Sequence, residues 1–211
     1  MDLDATVINV NYRLAPEHKL PCAIDDCYAA VKWTIAKADE LGINPNKIIT
    51  MGESGGGYLV SAVSMRLGEA NEGNLIKFGC HLQPMVTNNC FVATDVDDMM
   101  KAFLGVNTDI YEALCENFEE IKAGDYTDKW IFPSLIDDEL CKKCPPAVIL
   151  SCEFDTCLIG ANETADVYRR NNNLLVYGRQ RGSHHAHHYN PLHCRTDSWH
   201  KALADICSKY L

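Results

Sequence analysis

The order of apolar and polar positions along the chain predicts alternating strands and helices. Thr6–Val10 is a short β-branched run typical of a buried strand. After a turn with Pro16, the segment Ala23–Leu41 repeats apolar residues at helical spacing, at Ile24, Cys27, Val31 and Ile35. Gly42 and Asn44-Pro45-Asn46 end that helix before a second β-branched run at Ile48–Thr50. The first third of the chain is therefore predicted to be a β-α-β unit.

The same alternation continues further along the chain. A helix is predicted from Tyr58 to Leu67 and a third strand from Phe78 to Leu82. The later elements predicted are a strand at Ala147–Leu150, a helix at Ala161–Arg170, a strand at Leu174–Tyr177 and an amphipathic helix at Ser198–Tyr210, whose inward face carries Trp199, Leu203 and Ile206. This pattern predicts an α/β fold with a mostly parallel sheet flanked by helices.

Between about residues 87 and 136 the alternation fails. This stretch is acidic and shows helical rather than strand signals. It is typical of a helical lid inserted into an α/β domain, so residues 1–211 are predicted to form one domain with a lid-like insertion at 87–136.

Composition sets limits on partners. The 211 residues are 47% hydrophobic and 23% charged, with a net charge of −10. These values indicate a folded chain, and the negative charge argues against binding nucleic acid or an anionic membrane. No secretory signal and no apolar run of about 20 residues is present, so no membrane segment and a cytoplasmic location are expected.

Eleven cysteines are scattered between Cys22 and Cys207, a spacing that favours free buried thiols over a disulfide framework. Cys141 and Cys144 have the spacing of a zinc knuckle. No second Cys/His pair lies at a fitting distance, so no structural metal is expected there.

The chemistry centres on Ser54 in the sequence Gly52-Glu53-Ser54-Gly55-Gly56. A strand, a Gly-x-Ser-x-Gly turn and a helix are the context of a nucleophile elbow, which projects a serine hydroxyl above a sheet. Gly52 and Gly56 are interpreted as leaving room for the sharp turn, and the Gly55 N–H as a donor to an oxyanion. The alternative is a chance occurrence in a glycine-rich turn.

An acid and a base follow Ser54 in the order that a Ser-Asp-His triad of an α/β-hydrolase requires. Asp155 directly follows a predicted strand, where it either orients an imidazole or caps the next helix. Four histidines, His184, His185, His187 and His188, follow the last strand and compete for the role of base. A surface loop without a role and a transition-metal site are the alternatives for this run.

Four stretches together resemble the hormone-sensitive-lipase branch of the α/β-hydrolases, which includes arylacetamide deacetylase and bacterial esterases. They are Val7–His18 with Leu20–Asp26, the elbow around Ser54, Cys144–Ala147 leading to Glu153-Phe154-Asp155, and Gly182–His187. The resemblance implies an α/β-hydrolase fold. It assigns the catalytic acid to Asp155, and the register of the family's Gly-x-x-His-Gly-Phe selects His185 as base, with His184 next.

The resemblance implies a serine carboxylesterase-like enzyme for small acyl esters or amides, with no cofactor and no metal. Family members carry a His-Gly-Gly-Gly oxyanion loop and further strands upstream of the stretch with which this chain opens. The expected activity is therefore reduced, because loss of one oxyanion donor typically costs about 10²–10³ in rate. The rival expectation is an inactive hydrolase that binds a ligand or partner, with a homodimer formed through an exposed sheet edge.

Overall fold

The computed structural model describes residues 5–87, 128–189 and 196–211 of the chain. Its four strands form one parallel sheet whose spatial order follows the order along the chain. These strands are β1 (Thr50–Glu53), β2 (Gly79–Leu82), β3 (Ala147–Phe154) and β4 (Leu174–His184). All four carboxyl ends therefore lie at one edge of the sheet, where loops of α/β proteins carry ligand-binding and catalytic groups.

Six α-helices accompany these strands in the described ranges. They are α1 (Cys22–Ala36), α2 (Ala38–Leu41), α3 (Gly55–Glu69), α4 (Asp138–Cys141), α5 (Leu158–Arg170) and α6 (Thr196–Tyr210). Gly42 adopts a left-handed conformation at the end of α2, as its position after the helical pattern predicts. The helices predicted within the described ranges are confirmed, except that Ala23–Leu41 divides at Lys37 into α1 and α2. The later strands are confirmed as well, although β4 runs to His184 rather than ending at Tyr177, and the strand predicted at Ile48–Thr50 lies at Thr50–Glu53.

Helices cover both faces of the sheet, as the apolar strands require. On one face, Ala147 and Ile149 of β3 pack with buried residues of α1, α3, α4 and α5. On the other face, Val148, Leu150 and Cys152 pack with Trp199 of α6. Leu203 and Ile206 of the same helix pack against this cluster. The inward face predicted for the last helix is confirmed.

The strand predicted at Thr6–Val10 is wrong for this structure. These residues have no regular secondary structure, and Val7 is 86% exposed. High β-propensity does not make a strand on its own, because a strand needs a hydrogen-bonded neighbour and a surface to pack against. No strand of the described residues pairs with this segment.

The following turn is held by an ion pair instead. The Arg13 guanidinium donates two hydrogen bonds to the Asp26 carboxylate, at 2.9 and 2.7 Å, and its backbone N–H donates a third at 3.0 Å. These hydrogen bonds lower the pKa of Asp26 to about 2. The contact joins the two halves of the sequence stretch Val7–Asp26.

The lid-like insertion predicted at 87–136 lies mostly outside the described residues. Its last part, 128–136, contains a short 3₁₀ turn at Pro133–Leu135. Ile131, Phe132 and Ile136 are buried in the main core, so this end of the segment belongs to the body of the fold.

The eight cysteines of the described ranges are unbridged thiols, and six of them are buried. Cys144 donates to the carbonyl of Leu140 at 3.3 Å, and burial raises its pKa to about 12. The buried thiols expected from the sequence are confirmed for six of these cysteines, whereas Cys22 and Cys27 are only partly buried.

A serine and a histidine outside the predicted triad meet inside the core. Ser61 of α3 lies 2.8 Å from Nδ1 of His81 on β2, and both side chains are buried. Burial lowers the pKa of His81 to about 3. The imidazole is therefore neutral in the folded protein near neutral pH.

We expect His81 to make the fold sensitive to mild acid. In the unfolded chain His81 becomes protonated below its ordinary pKa near 6.5, whereas in the folded chain it stays neutral down to about pH 3. The free energy of unfolding therefore falls as the pH decreases toward 3. At pH 5 this loss amounts to about 2 kcal/mol relative to pH 7. Urea unfolding at both pH values measures it, and His81→Gln should reduce the difference by that amount. An equal pH dependence in the variant would contradict the assignment.

Candidate active site

Ser54 occupies the turn between β1 and α3. Its backbone angles are φ 55° and ψ −115°, a combination that a side chain disfavours. The Ser54 N–H donates to the carbonyl of Leu82 at 2.9 Å, and the Ser54 carbonyl accepts from the Tyr58 N–H at 3.0 Å. These contacts hold the serine in a strained turn at the carboxyl end of β1, as the sequence predicts.

Two glycines make this turn possible by close backbone approach. A Cβ atom at Gly52 would lie 2.3 Å from the carbonyl oxygen of Gly56, and one at Gly57 would lie 2.9 Å from Cα of Pro84. A Cβ at Gly56 would meet no atom within 4 Å. The interpretation that these glycines leave room for the turn is therefore confirmed for Gly52. It is wrong for Gly56, because the second close approach falls at Gly57.

Gly55 is the first residue of α3, a helix of 15 residues. The N–H groups of a first helical turn have no acceptor within the helix, and the helix dipole favours negative charge at this end. Gly55 thus presents its backbone at the place where an anion beside Ser54 would be stabilised.

Asp155 follows β3 and its side chain is completely buried. Its two carboxylate oxygens lie 3.0 and 2.9 Å from Nδ1 of His185. Because a carboxylate only accepts, Nδ1 carries the proton, and Nε2 of the neutral imidazole is the acceptor.

The same carboxylate also orders the start of α5. Asp155 Oδ1 accepts from the Cys157 N–H at 2.8 Å, and the Asp155 carbonyl accepts from the Leu158 N–H at 3.0 Å. The contact with an imidazole that the sequence offered for Asp155 is present, whereas the N-cap of α5 is Cys157 rather than Asp155. Asp155 instead organises the turn that leads into the helix.

The four clustered histidines have different surroundings, which the sequence alone left open. His185 contacts Asp155, whereas Nδ1 of His184 lies 2.7 Å from the carbonyl of His185. His187 is fully buried, with Nδ1 3.3 Å from the Cys152 thiol. His188 stacks on Trp199 and its Nε2 lies 3.5 Å from the Glu53 carboxylate.

Glu53 links the serine turn to the histidine run. Burial acts to raise the pKa of Glu53, but hydrogen bonds with His188 and Tyr189 and electrostatic interactions with His188 and His185 lower it overall. A carboxylate therefore stays ionised directly beside Ser54. In the sequence this glutamate stands out only as the neighbour of Ser54 in the elbow, so its contact with the histidines was missed.

Gln83 is a second residue that sequence reasoning missed. It follows β2, its side chain is fully buried, and its Oε1 accepts from the Ala186 N–H at 2.6 Å. A polar residue between the end of an apolar strand and Pro84 was the available signal, because it marks the edge of the sheet where sites form.

Asp155, Cys157 and His185 place three ligand atoms within 4.8 Å of one another, a donor set that zinc accepts. The Nδ1 atom of His185 already bonds to Asp155, so a metal there would have to displace that hydrogen bond. The arrangement is suited to proton transfer through the opposite nitrogen, Nε2.

Comparison with known proteins gives a consistent result. A family model described as alpha/beta hydrolase fold matches residues 1–189. An arylesterase from Saccharolobus solfataricus is 53% identical over 62 residues, which are 29% of this chain and 20% of the relative. An arylacetamide deacetylase from Bos taurus is 42% identical over 67 residues, which are 31% of this chain and 17% of the relative.

Among solved structures, an esterase from Pyrobaculum calidifontis superimposes with a TM-score of 0.76 at 24% identity, over 94% of this chain. The match covers 63% of that esterase, and the matched segments of the curated relatives cover about a fifth of their length. No helix of the described residues is long and apolar enough to span a membrane.

Proposed function

The chain belongs to the alpha/beta-hydrolase fold family, in its hormone-sensitive-lipase and arylacetamide-deacetylase-like branch, and from this premise we propose a serine carboxylesterase-like activity. The substrates are small acyl esters or amides, and Ser54, His185 and Asp155 are the catalytic residues. The observation that carries the proposal is the pair of hydrogen bonds between the buried Asp155 carboxylate and Nδ1 of His185.

Each step of the proposed reaction uses one feature of the site. Ser54 attacks the acyl carbon while Nε2 of His185 takes the hydroxyl proton and later gives it to the leaving alcohol or amine. Asp155 keeps the proton on Nδ1 and stabilises the imidazolium that forms. The Gly55 N–H donates to the oxyanion from the start of α3.

Support for bringing these groups together comes from the topology. Ser54, Asp155 and His185 follow the carboxyl ends of β1, β3 and β4, which lie at one edge of the parallel sheet. The pairing of Glu53 with His188 connects the serine turn to the histidine run. A hydrogen bond between Ser54 and His185 remains a prediction.

Covalent labelling tests the proposal directly. A fluorophosphonate reagent reacts with an activated serine, so we expect one adduct, on the peptide that contains Ser54. The reagent should leave Ser61 unmodified, because the imidazole beside it is buried and its pKa is lowered. Mass spectrometry of the digested protein gives the result, and labelling spread over several serines would contradict the proposal.

The homodimer also remains a prediction. β1 is an end strand of the sheet and pairs with β2 alone among the strands of the described residues, while Met51 on it is 46% exposed. An end strand of this kind offers backbone groups to a second copy of the chain.

A further inference from the structure

The peptide group that follows His185 is held from two sides. Its carbonyl, on His185, accepts from Nδ1–H of His184 at 2.7 Å, and its N–H, on Ala186, donates to Oε1 of Gln83 at 2.6 Å. Gln83 is 103 residues away along the chain. A side chain after β2 therefore fixes the orientation of a peptide beside the proposed base.

Ala186 needs such support because of its conformation. Its φ is 57°, in the left-handed region that an alanine rarely occupies. Backbone strain of this kind persists where the surroundings determine the conformation. The hydrogen bond from Ala186 to Gln83 is such a determinant, and it acts one residue after His185.

Gln83 is itself firmly anchored. Its backbone N–H donates to the carbonyl of Leu150 in β3 at 2.7 Å, and its side chain is fully buried. Its φ of 46° is also in the left-handed region. Gln83 thus joins the rigid sheet to the histidine-bearing turn, and a site is positioned well when its support lies on rigid elements.

The buried side-chain amide of Gln83 carries a free-energy cost that its packing does not explain. The Gln83 Nε2 atom is buried and has no hydrogen-bond partner among the residues that the structure describes. A buried donor left unpaired typically costs about 1–3 kcal/mol, which an apolar side chain of the same size would avoid. Retaining a costly group next to a proposed catalytic residue is typical of function rather than stability.

We propose that Gln83 is a positioning residue: its Oε1 fixes the His185–Ala186 peptide and so keeps the His185 imidazole on Asp155. This inference rests on the proposed function for its effect on rate. Its structural part, the orientation of His185, stands separately.

Gln83→Met is the test variant, since methionine has a similar length and lacks the acceptor. We expect kcat for a short p-nitrophenyl ester to fall about 10- to 100-fold with KM within about twofold, because small misplacement of a catalytic group costs rate rather than binding. Gln83→Glu keeps an acceptor at the same position and should restore most of the loss. Gln180→Met is the matched control, because the Gln180 side-chain amide donates to Ser198 of α6 rather than contacting the His185–Ala186 peptide, and the variant should retain the wild-type kcat.

Proton NMR supplies a readout that does not need turnover. The Nδ1 proton between His185 and Asp155 should give a far-downfield signal in the wild type, in Gln180→Met and in Gln83→Glu, and the signal should broaden or vanish in Gln83→Met. A thermal melt should show Gln83→Met folded, with a Tm close to that of the wild type.

The two failures are distinguishable. Unchanged kcat and an unchanged downfield proton in Gln83→Met would overturn the positioning role, and so would equal losses in Gln83→Met and Gln83→Glu. If Ser54→Ala hydrolyses the ester as fast as the wild type, the proposed function fails, and the downfield proton alone then decides whether Gln83 positions His185.

Discussion

Ser54→Ala should lower the hydrolysis of a short p-nitrophenyl ester by about 10³-fold or more, to near the rate of buffer alone. The hydroxyl oxygen of Ser54 is the nucleophile that forms the acyl-enzyme, which water then hydrolyses, so no partial route through His185 and Asp155 replaces it. The substitution retains a Cβ at φ 55°, so the strain of the turn and the fold should change little. Steady-state kinetics of the purified chain, with a thermal melt of each variant, measures both effects.

Ser61→Ala is the matched control for this experiment. Ser61 also lies close to an imidazole, at 2.8 Å from Nδ1 of His81, but that pair is buried between α3 and β2. Its loss should leave kcat unchanged within about twofold and lower stability by about 1–3 kcal/mol, because His81 loses a buried partner. Equal rates for Ser54→Ala and the wild type would show that any hydrolysis arises elsewhere or that the site does not act as an esterase.

Asp155→Asn should lower kcat by about 10³- to 10⁴-fold while the protein stays folded. The asparagine amide donates where the carboxylate accepts, so it favours the imidazole tautomer with the proton on Nε2, which cannot take a proton from Ser54. The side-chain carbonyl oxygen of the variant can still accept from the Cys157 N–H, as Oδ1 of Asp155 does. The start of α5 is therefore expected to survive.

Asp137→Asn gives the comparison for a capping role alone. Asp137 accepts from the Leu140 N–H at 2.8 Å at the start of α4, and its carboxylate also pairs with Lys129 rather than with an imidazole. The substitution should change neither kcat nor Tm by much, since asparagine caps a helix about as well as aspartate. A large drop in Tm with unchanged kcat in Asp155→Asn would mean that Asp155 serves only the helix start.

Local signals in the sequence predicted most of the fold. Helices such as α1 and α6 follow from apolar spacing, and β3 follows from the run Ala147–Leu150 between turn residues. Thr6–Val10 carries an equally good strand signal but forms no strand, because pairing depends on a neighbouring strand that a local pattern does not contain. The interpretation of Gly56 was wrong for a related reason. The close approach occurs at Gly57, and it is made by Pro84 in the loop after another strand.

The residues of the candidate site also differ in whether a local sequence pattern predicts them. Ser54 and Asp155 stand at turn positions that the chain marks locally, so the sequence could single them out. Choosing among four histidines required the resemblance to a family, because adjacent imidazoles look alike until tertiary contacts separate them. Gln83 acts on Ala186 across 103 residues of chain, and Glu53 contacts His188 over a still longer separation. Such distant pairs leave no local pattern.

The strand order of the sheet bears on how the protein is made. Since β1, β2, β3 and β4 lie side by side in the order of synthesis, each strand that leaves the ribosome finds its parallel neighbour already present. Folding of the described sheet can therefore proceed by addition at one growing edge, without a later strand being inserted between two earlier ones. Ser54 follows the first of these four strands, whereas His185 follows the fourth, β4. While residues 55–184 are being synthesised, a nascent chain would thus carry the proposed nucleophile without the proposed base.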